Sequence, residues 1–590
     1  MKTSPRPEHP RPQFQRRRWL SLNGWWDFAF DFGSSGEARG LHQDTSGFDR
    51  QIQVPFCPES SLSGIQHTDF MSTVWYHREI ALPKEWAGAG VRLHFGAVDY
   101  VCTVWLNGAL AGRHYGAGSS FHFDLTTFLQ AGTNHLVVRA EDDSRSGKRP
   151  QGKQCPEFAS EKCLYTRTTG IWQTVWLEAI PEARIEAVRV VPDVDGSCFV
   201  LTPEFANSTR DQRFRAVLLD GETVLASGER EASPGLPLVL AIPDARLWSP
   251  EDPYLYDLRF ELLDASGGVV DRVESYAGLR KIHIEGNRIY LNNEPLFIRF
   301  VLDQGFYPDG IWTAPSDAAL KRDIELALAA GFNGARLHQK IFEERYHYWA
   351  DRMGFLTWAE MHDWGMDFKE PEALLNHQRE WAEVVMRDIN HPSIIAWTPF
   401  NETLRGARAD LEVHRRALTA IYDLTKMLDP TRPCHGTSGH VQVKTDIFSA
   451  HCYNQNPEQF AERFAALTPD EPEKAPVCHP DLSSPYTGQP YVVAEYGGTW
   501  WDSGASESKD NDLQVSWGYG ARPTSIEEVY HRIEALTAVL LRHPHIAGFC
   551  FTQLTDVEQE QNGLYTYDRR EKFDIERIRK MLCNGCRCLA

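Results

Sequence analysis

The C-terminal half of the chain alternates between apolar windows of strand length and amphipathic windows of helix length. The strand windows are residues 296–302, 332–338, 355–361, 394–400, 434–438, 447–453, 491–495 and 546–554. The helix windows are residues 316–330, 343–353, 371–390, 410–428, 457–466, 525–542 and 573–582. Strands that are separated by helices pair in parallel, and eight of them predict a closed (β/α)8 TIM barrel over residues 280–590.

Residues with the chemistry of helix caps stand at several of these boundaries. Ser316 precedes the first helix window and has the side-chain oxygen that an N-cap needs. Gly331 and Gly354 follow predicted helices, and glycine is the residue that most readily adopts the left-handed conformation of a helix end. These signals support the predicted division into helices and strands.

The chain before the barrel contains many short strand windows and few helix windows. Asn107-Gly108, between two apolar runs, predicts a two-residue hairpin. This pattern predicts a jelly-roll β-sandwich over residues 19–181 and an immunoglobulin-like β-sandwich over residues 182–279, with residues 1–18 as an N-terminal extension. Residues 146–169 are a long polar loop inside the jelly roll, and a loop of this length in a tight domain is expected to be functional.

Charge and hydropathy exclude several classes of partner. The 590 residues carry a net charge of −20 without a basic stripe, so nucleic acid is not expected as a partner. No apolar run reaches the ~18–20 residues of a transmembrane helix, so no membrane partner is expected. Arg16-Arg17-Arg18 could begin an export signal, but no apolar stretch follows, and the chain is therefore predicted to be cytoplasmic.

Cysteine and tryptophan usage carries less information. The 12 cysteines are scattered, which predicts a reducing compartment and not a disulfide scaffold. Cys583, Cys586 and Cys588 cluster near the C-terminus without the fourth ligand of a structural zinc site, so no metal is expected there. The 18 tryptophans suit either a carbohydrate-binding site or a tryptophan-rich β core.

Two of the predicted barrel strands lead directly to a glutamate. Residues 394–400 are followed by Asn401-Glu402, and residues 491–494 are followed by Glu495. These are the fourth and seventh strands, and carboxyl ends of barrel strands are where TIM-barrel enzymes keep their catalytic groups. Each glutamate alone could be an ordinary strand-end residue. Two that face each other across one pocket would have the arrangement of a glycoside hydrolase.

Short motifs along the whole chain make this hypothesis more specific. In order, they are Asn23-Gly24-Trp25-Trp26, Trp105-Leu106-Asn107-Gly108, Thr169-Gly170-Ile171-Trp172, Leu247-Trp248-Ser249-Pro250, Gly278-Leu279-Arg280-Lys281, Asn401-Glu402 and Glu495-Tyr496-Gly497. With these motifs the chain resembles glycoside hydrolase family 2, which includes β-galactosidases, β-glucuronidases and β-mannosidases. The resemblance covers nearly the whole chain and implies a sugar-binding jelly roll, an immunoglobulin-like domain and a catalytic barrel.

The resemblance also implies roles for individual residues. Glu402 matches the acid/base of the family and Glu495 its nucleophile. Arg336 would support the nucleophile, Tyr453 would bond it, and Asn401 would bond the sugar 2-hydroxyl. An arginine that pairs with any nearby acid is the alternative for Arg336. The further candidate substrate ligands at strand ends are Asp303, His338, His362, His451, Trp500 and Gln553, and for His362 a purely structural histidine is the alternative.

The chain departs from the family pattern around the pocket. Arg336-Leu337-His338-Gln339-Lys340 replaces the usual Arg-x-x-His-Tyr-Pro, and Leu302-Asp303-Gln304 replaces an Asn-Arg-His element. The Asn-x-Lys motif that holds a glucuronate carboxylate is absent, because Leu564 stands two positions after Asn562. These departures leave the glutamate pair intact and imply the same chemistry on a different sugar.

We therefore predict a retaining exo-β-glycosidase, β-galactosidase-like, whose partner is a carbohydrate. The alternatives are a glycosidase for a β-galactofuranoside, an arabinoside or a β-glucuronide, or an inactive carbohydrate-binding homologue. No cofactor is required by this mechanism, and the sequence contains no matching ligand cluster for the Mg²⁺ that some family members use. The resemblance also implies a homo-oligomer.

Overall fold

The computed structural model describes residues 4–242, 244–403, 411–502 and 516–583. Cys586 and Cys588 lie outside these residues, and all ten described cysteines are free thiols. Among the described residues, no helix is both long and apolar enough to cross a membrane.

The first domain is a jelly-roll sandwich. Its strands are β1 (Trp19–Ser21), β2 (Gly24–Phe30), β3 (Arg50–Val54), β4 (Thr73–Ala81), β5 (Gly90–Phe95), β6 (Val98–Asp99), β7 (Val101–Leu106), β8 (Ala109–Tyr115), β9 (Phe121–Asp124), β10 (Thr133–Glu141), β11 (Gly170–Ile171) and β12 (Val175–Ile180). A six-stranded sheet of order β3-β2-β4-β10-β7-β8 packs against a four-stranded sheet of order β1-β12-β5-β9. Asn107 and Gly108 join β7 to β8 with φ values of 53° and 79°, which confirms the predicted hairpin.

The second domain is the immunoglobulin-like sandwich. Its strands are β13 (Arg184–Asp193), β14 (Cys198–Ala206), β15 (Arg213–Asp220), β16 (Thr223–Glu231), β17 (Leu238–Ala241), β18 (Tyr256–Leu263) and β19 (Val269–Ala277). They form a sheet of order β13-β14-β17 and a sheet of order β16-β15-β18-β19, in which all neighbouring strands are antiparallel. The alternating apolar residues of both sheets form one shared core.

The third domain is the barrel. A small sheet of β20 (Ile282–Glu285), β21 (Arg288–Leu291) and β22 (Glu294–Leu296) precedes it. The barrel strands are β23 (Ile298–Asp303), β24 (Gly334–Leu337), β25 (Leu356–Glu360), β26 (Ile394–Thr398), β27 (Phe448–Cys452), β28 (Tyr491–Gly497) and β29 (Ile546–Thr552). The helices are α1 (Asp317–Ala329), α2 (Glu344–Met353), α3 (Pro371–Asp388), α4 (Leu411–Leu428), α5 (Pro457–Phe464), α6 (Ile526–Arg542) and α7 (Ile575–Cys583).

The barrel sheet has the order β26-β25-β24-β23-β29-β28-β27, and every neighbouring pair in it is parallel. The predicted fifth strand, residues 434–438, is not a regular strand. It makes isolated parallel bridges from Cys434 to Trp397 of β26 and from Ser438 to Asn401 beyond it. Gly436 interrupts it, and a Cβ there would lie 2.1 Å from the Lys444 carbonyl oxygen. This segment lies in the position of the missing strand.

The predicted caps are present in the structure. The Ser316 side chain accepts a hydrogen bond from the backbone N–H of Ala319 and begins α1. Gly354 ends α2 with a left-handed φ of 67°. The sequence signals therefore located these helix ends correctly.

Candidate active site

The two predicted catalytic glutamates lie at the same end of the barrel. Glu402 follows β26, and Glu495 lies in β28. His451 stands on β27, and its Nδ1 and one carboxylate oxygen from each glutamate all lie within 4.8 Å of one another. The Glu402 and Glu495 side chains are only 11% and 5% exposed. The pair is thus held close together and shielded from bulk water.

Two donors hold the Glu495 carboxylate, one on each oxygen. Arg336 Nη2 donates to Glu495 Oε1 at 2.7 Å, and the Tyr453 hydroxyl donates to Oε2 at 2.5 Å. The Tyr453 ring stacks on Tyr519 with a centroid distance of 3.4 Å, which fixes the direction of that hydroxyl. Glu495 consequently has the environment that a nucleophile needs.

Arg336 is fully buried beneath the pair. Its Nε donates to Glu360 Oε2 at 2.6 Å, and its Nη1 donates to the Ala494 carbonyl oxygen at 2.8 Å. Burial by itself lowers the pKa of this guanidinium, but the charges of Glu360 and Glu495 raise it above its ordinary value. A guanidinium presents its donors in a rigid fork. Because Glu360 and the Ala494 carbonyl hold Arg336 in place, Arg336 in turn orients the Glu495 carboxylate.

Glu402 is held by histidines and by the segment that replaces the fifth strand. His451 Nδ1 lies 2.7 Å from Glu402 Oε1, and His440 Nε2 lies 3.5 Å from the same oxygen. The Glu402 backbone N–H donates to the Ser438 carbonyl oxygen at 3.0 Å. Glu402 has a φ of 45°, a left-handed conformation that is strained for a side-chain-bearing residue and recurs at functional sites.

Asn401 presents a free donor beside the pair. Its Oδ1 accepts from Arg336 Nη2 at 2.9 Å, and this contact sets the orientation of the amide because arginine only donates. Among the described residues, the buried Nδ2 has no hydrogen-bond partner. The Asn401 backbone is fixed by Asp363, whose Oδ1 accepts from its N–H, and by Trp364, whose Nε1 donates to its carbonyl oxygen. A buried free donor in this position suits a substrate hydroxyl.

Two of the predicted histidine ligands lie in different surroundings. His338 Nδ1 lies 2.8 Å from Glu360 Oε1, next to Arg336. The His362 side chain is fully buried, with Nε2 3.5 Å from Glu380 Oε1 of α3 and its ring edge-on to Trp312. These contacts place His362 beside α3 and Trp312, and its contact with substrate stays a prediction.

Asp303 faces away from the glutamate pair, contrary to the position that its predicted role requires. In the parallel register it pairs with Leu337, whose side chain packs in the core between strands and helices. Its Oδ2 accepts from the Tyr346 hydroxyl of α2 at 3.2 Å. Successive strand residues point to opposite faces, so Gln304, one position later, is on the pocket side and donates from Nε2 to Gln553 Oε1 at 2.8 Å.

Gln553 and Trp500 are held by neighbouring side chains. Gln553 is fully buried, and its Nε2 donates to Asn562 Oδ1 at 2.7 Å. Trp500 Nε1 donates to Ser516 Oγ at 2.9 Å, and the Arg522 guanidinium lies 5.3 Å from its ring centroid. These neighbours do not test whether Gln553 and Trp500 bind the substrate, so both substrate contacts stay predictions.

Sequence reasoning left four site residues without a role. Glu360 ends β25 two positions before the predicted His362, and Trp364 lies two positions after it. Lys153 belongs to the long loop that was expected to be functional, and Glu560 follows β29. The signal that could have found these two is a charged residue inside a segment that must pack against the barrel mouth.

A magnesium site does not fit these residues. Among the described residues, the cluster that could hold an ion is Glu402, His451 and Glu495. It includes an imidazole nitrogen at hydrogen-bond distance from a carboxylate, whereas Mg²⁺ prefers octahedral oxygen ligands. The His451 Nδ1 lies 2.7 Å from Glu402 Oε1 and 3.3 Å from Glu495 Oε2.

A carboxylate pair at the mouth of a TIM barrel that follows two β-sandwich domains along the chain defines the class of multidomain glycoside hydrolases. Three family models match the chain: the sugar binding domain of glycosyl hydrolases family 2 at residues 23–147, the family 2 domain at residues 184–280 and the family 2 TIM barrel domain at residues 282–517. Together they span most of the chain. The chain belongs to glycoside hydrolase family 2.

Relatives of this chain bear two different activity names. A β-glucuronidase from Paenibacillus borealis is 24% identical over 95% of this chain and 96% of that protein. A β-galactosidase from Lactococcus lactis is 28% identical over 66% of this chain, which spans only 36% of that longer protein. The β-glucuronidase from Ruminococcus gnavus, solved with an N1-substituted uronic isofagomine, has a TM-score of 0.78 and 21% identity, covering 97% of this chain and 99% of that chain. This last likeness shows the shared fold.

Proposed function

We propose that the protein is a retaining exo-β-glycosidase, β-galactosidase-like, that removes a terminal non-reducing sugar. The observation that carries the proposal is the close pair of Glu402 and Glu495, with oxygens within 4.8 Å. Retaining enzymes place their two carboxyl groups ~5–5.5 Å apart, whereas inverting enzymes need ~6.5–9.5 Å to admit a water molecule. The short separation supports the retaining mechanism.

In the first step, Glu402 protonates the glycosidic oxygen while ionised Glu495 attacks the anomeric carbon. The bond to the leaving alcohol breaks, and a glycosyl ester forms on Glu495. Arg336 and Tyr453 hold the Glu495 carboxylate in its orientation before the attack. His451 Nδ1, bonded to Glu402, stabilises the carboxylate that remains on Glu402 after proton transfer.

In the second step, Glu402 acts as a base. It removes a proton from water, the resulting hydroxide adds to the anomeric carbon, and the ester bond to Glu495 breaks to regenerate the enzyme. Asn401 Nδ2, which is buried and has no partner in the described part of the chain, donates to a sugar hydroxyl during both steps in this proposal. Two displacements restore the original anomeric configuration.

Because the relatives include β-galactosidases and β-glucuronidases, both a neutral and an acidic sugar are candidate substrates. A β-galactofuranoside or an arabinoside is a further alternative for the neutral case. An inactive carbohydrate-binding homologue is disfavoured by the intact pair and its donors. The cytoplasmic location and the homo-oligomer stay predictions.

A panel of nitrophenyl glycosides tests the proposal. The wild type is expected to release nitrophenol from at least one β-glycoside, with retained configuration by NMR. Glu495→Gln is expected to lower kcat/KM by about three orders of magnitude or more, because it removes the nucleophile. Exposed Glu458→Gln on α5 is the matched control and should leave activity unchanged.

A 2-deoxy-2-fluoro glycoside of the preferred sugar is expected to trap the intermediate, and mass spectrometry should find the label on the peptide that contains Glu495. Release of nitrophenol that is undiminished in Glu495→Gln contradicts the nucleophile assignment. Hydrolysis with inverted configuration contradicts the retaining mechanism.

A further inference from the structure

The jelly-roll loop of residues 146–169 reaches the mouth of the barrel. The backbone N–H of Gln151 donates to the Trp364 carbonyl oxygen at 2.8 Å, and that of Gly152 donates to the His362 carbonyl oxygen at 3.1 Å. These bonds attach the loop to the end of β25. They place the next residue, Lys153, over the Trp364 ring, with its ammonium 4.0 Å from the ring centroid.

Lys153 is a buried cation beside the catalytic residues. The residue is only 5% exposed, and Trp364, on which it stacks, donates to the Asn401 carbonyl oxygen at 2.9 Å. Within the part of the chain that the structure describes, its ammonium has no hydrogen-bond or ion-pair partner. Burying an ammonium costs free energy unless it is paired, and the ring face offsets only part of that cost. An ammonium in this position has donors available for a ligand.

Glu560 supplies a carboxylate to the same region from the chain that follows β29. It is 2% exposed, with Oε1 accepting from Asn562 Nδ2 at 2.9 Å and Oε2 accepting from the Tyr165 hydroxyl. Burial raises the pKa of Glu560, the charge of Lys153 opposes this, and the charge of Glu495 adds to it. The backbone N–H of Tyr165 donates to the Lys153 carbonyl oxygen at 2.8 Å, so Tyr165 joins Glu560 to the Lys153 segment. On the other side, Glu560 forms an isolated bridge with Trp517, whose ring lies 4.9 Å from Tyr519, and Tyr519 stacks on Tyr453 beside the nucleophile.

In the described part of the chain, Lys153 and Glu560 form no direct ion pair, although both contact Tyr165. A hydroxyl between two such groups can accept a hydrogen bond from the ammonium and donate one to the carboxylate. A sugar carboxylate there would gain one cation but would also face Glu560 and Glu495. The paired charges therefore favour an uncharged sugar.

We propose that Lys153 of the jelly roll and Glu560 of the barrel form a specificity-determining pair that binds hydroxyl groups of a neutral sugar in the catalytic pocket. The inference rests on the proposed glycosidase function and selects its neutral alternatives over β-glucuronide. Leu564 is buried in the barrel core and brings no charge to this region, which agrees with the selection. The catalytic site is then built from two domains.

Kinetics with two substrates test the pair. We expect the wild type to hydrolyse nitrophenyl β-galactoside, or another neutral glycoside of the panel, with kcat/KM at least tenfold above that for nitrophenyl β-glucuronide. Lys153→Met and Glu560→Gln should each lower kcat/KM for the neutral glycoside about 10–100-fold, since each leaves a sugar hydroxyl or a buried group unpaired. Glu560→Gln should also bring kcat/KM for the neutral glycoside closer to kcat/KM for nitrophenyl β-glucuronide.

Lys148→Met is the matched control in the same loop, because the Lys148 side chain is 51% exposed and pairs with Glu372 on the surface. Its kinetics should equal those of the wild type. Circular dichroism and Tm are measured for every variant, and Lys153→Arg serves as a second variant that keeps the charge if Lys153→Met does not fold. Lys153→Arg should retain more activity than Lys153→Met.

Two results would overturn the inference. One is kcat/KM for the neutral glycoside that stays within twofold of wild type in folded Lys153→Met. The other is a wild type that prefers the β-glucuronide and loses that preference in Lys153→Met, which would make Lys153 a carboxylate ligand. Failure of the proposed function is distinguishable, because it would appear as a wild type that hydrolyses neither substrate.

Discussion

At the scale of single residues, Asp303 and Gln304 illustrate how one position decides between two environments. Asp303 ends β23 and bonds to Tyr346 on the helix side, whereas Gln304 lies on the pocket side and bonds to Gln553. The sequence predicts this strand correctly, but it does not indicate which of the alternating side chains face the pocket and which face the helices. Side-chain direction depends on the register with neighbouring strands, which is a property of the assembled barrel.

Asp303→Asn is expected to keep wild-type kcat/KM and to change the pH dependence of stability. Burial and the charge of Asp323 raise the pKa of Asp303 to about 6. The stabilisation that comes from protonated Asp303 is therefore complete below the pKa that this residue has in the unfolded chain, and it is lost as the pH rises through 6. The variant has no carboxyl group at this position, so its stability does not fall with pH in this way. The free energy of unfolding of the variant relative to wild type should therefore increase by up to about 1.4 kcal/mol per pH unit between pH 4 and 6.

Thermal unfolding at several pH values, together with kinetics at neutral pH, checks this expectation. Exposed Asp49→Asn is the control and should show a flat difference. A large drop in kcat/KM with unchanged Tm would instead place Asp303 in the sugar pocket.

At the scale of elements, the jelly-roll loop depends on one glycine for its approach to the barrel. Gly152 has a φ of 66°, and a Cβ there would lie 2.3 Å from the Gln339 carbonyl oxygen. Only a residue without a side chain fits this backbone contact. The loop was recognised from its length and polarity, but its contact partner could not be read from local sequence, because Gln339 is far away along the chain.

Gly152→Ala is expected to displace the loop and lower kcat/KM at least tenfold through Lys153, since both the left-handed conformation and the backbone contact oppose a Cβ. Gly132→Ala is the matched control, with a φ of 90° but no atom within 4 Å of the added Cβ. Kinetics with the preferred glycoside check the difference. Equal activity in both alanine variants would show that the loop position does not affect the pocket.

At the scale of the whole molecule, the N-terminal extension connects all three domains. Arg16 is buried, with Nη1 3.0 Å from Glu178 of the jelly roll and Nη2 2.8 Å from Asp271 of the immunoglobulin-like domain. Arg6 Nη2 lies 2.6 Å from Glu343 of the barrel. These ion pairs hold the relative positions of the domains, and with them the contact between jelly-roll loop and barrel.

Arg16→Met is expected to destabilise the protein by about 3–5 kcal/mol, because it leaves Glu178 and Asp271 buried without their cation. Differential scanning calorimetry should detect a lower temperature for the first unfolding transition. Exposed Arg17→Met is the control and should leave that temperature unchanged. An unchanged first transition in Arg16→Met would show that the extension is not a connection between domains.

The amino-acid sequence alone determined the order of the domains, the barrel class and the candidate pair Glu402 and Glu495. These follow from local periodicity, from cap residues such as Ser316 and Gly354, and from motifs that lie close together along the chain. The irregular segment 434–438 was less predictable, because its strand character is supplied only by bridges to β26.

The tertiary structure decided which polar residues meet. Arg336 stands on β24, whereas His451 lies on β27 and Tyr453 directly follows it. Only assembly of the barrel brings these side chains to the glutamates. It likewise decided that Asp303 faces the helices and that Lys153, from another domain, stands beside the pocket. Local sequence specifies the conformation of each segment, whereas side-chain direction and contacts between distant segments follow from register and domain packing.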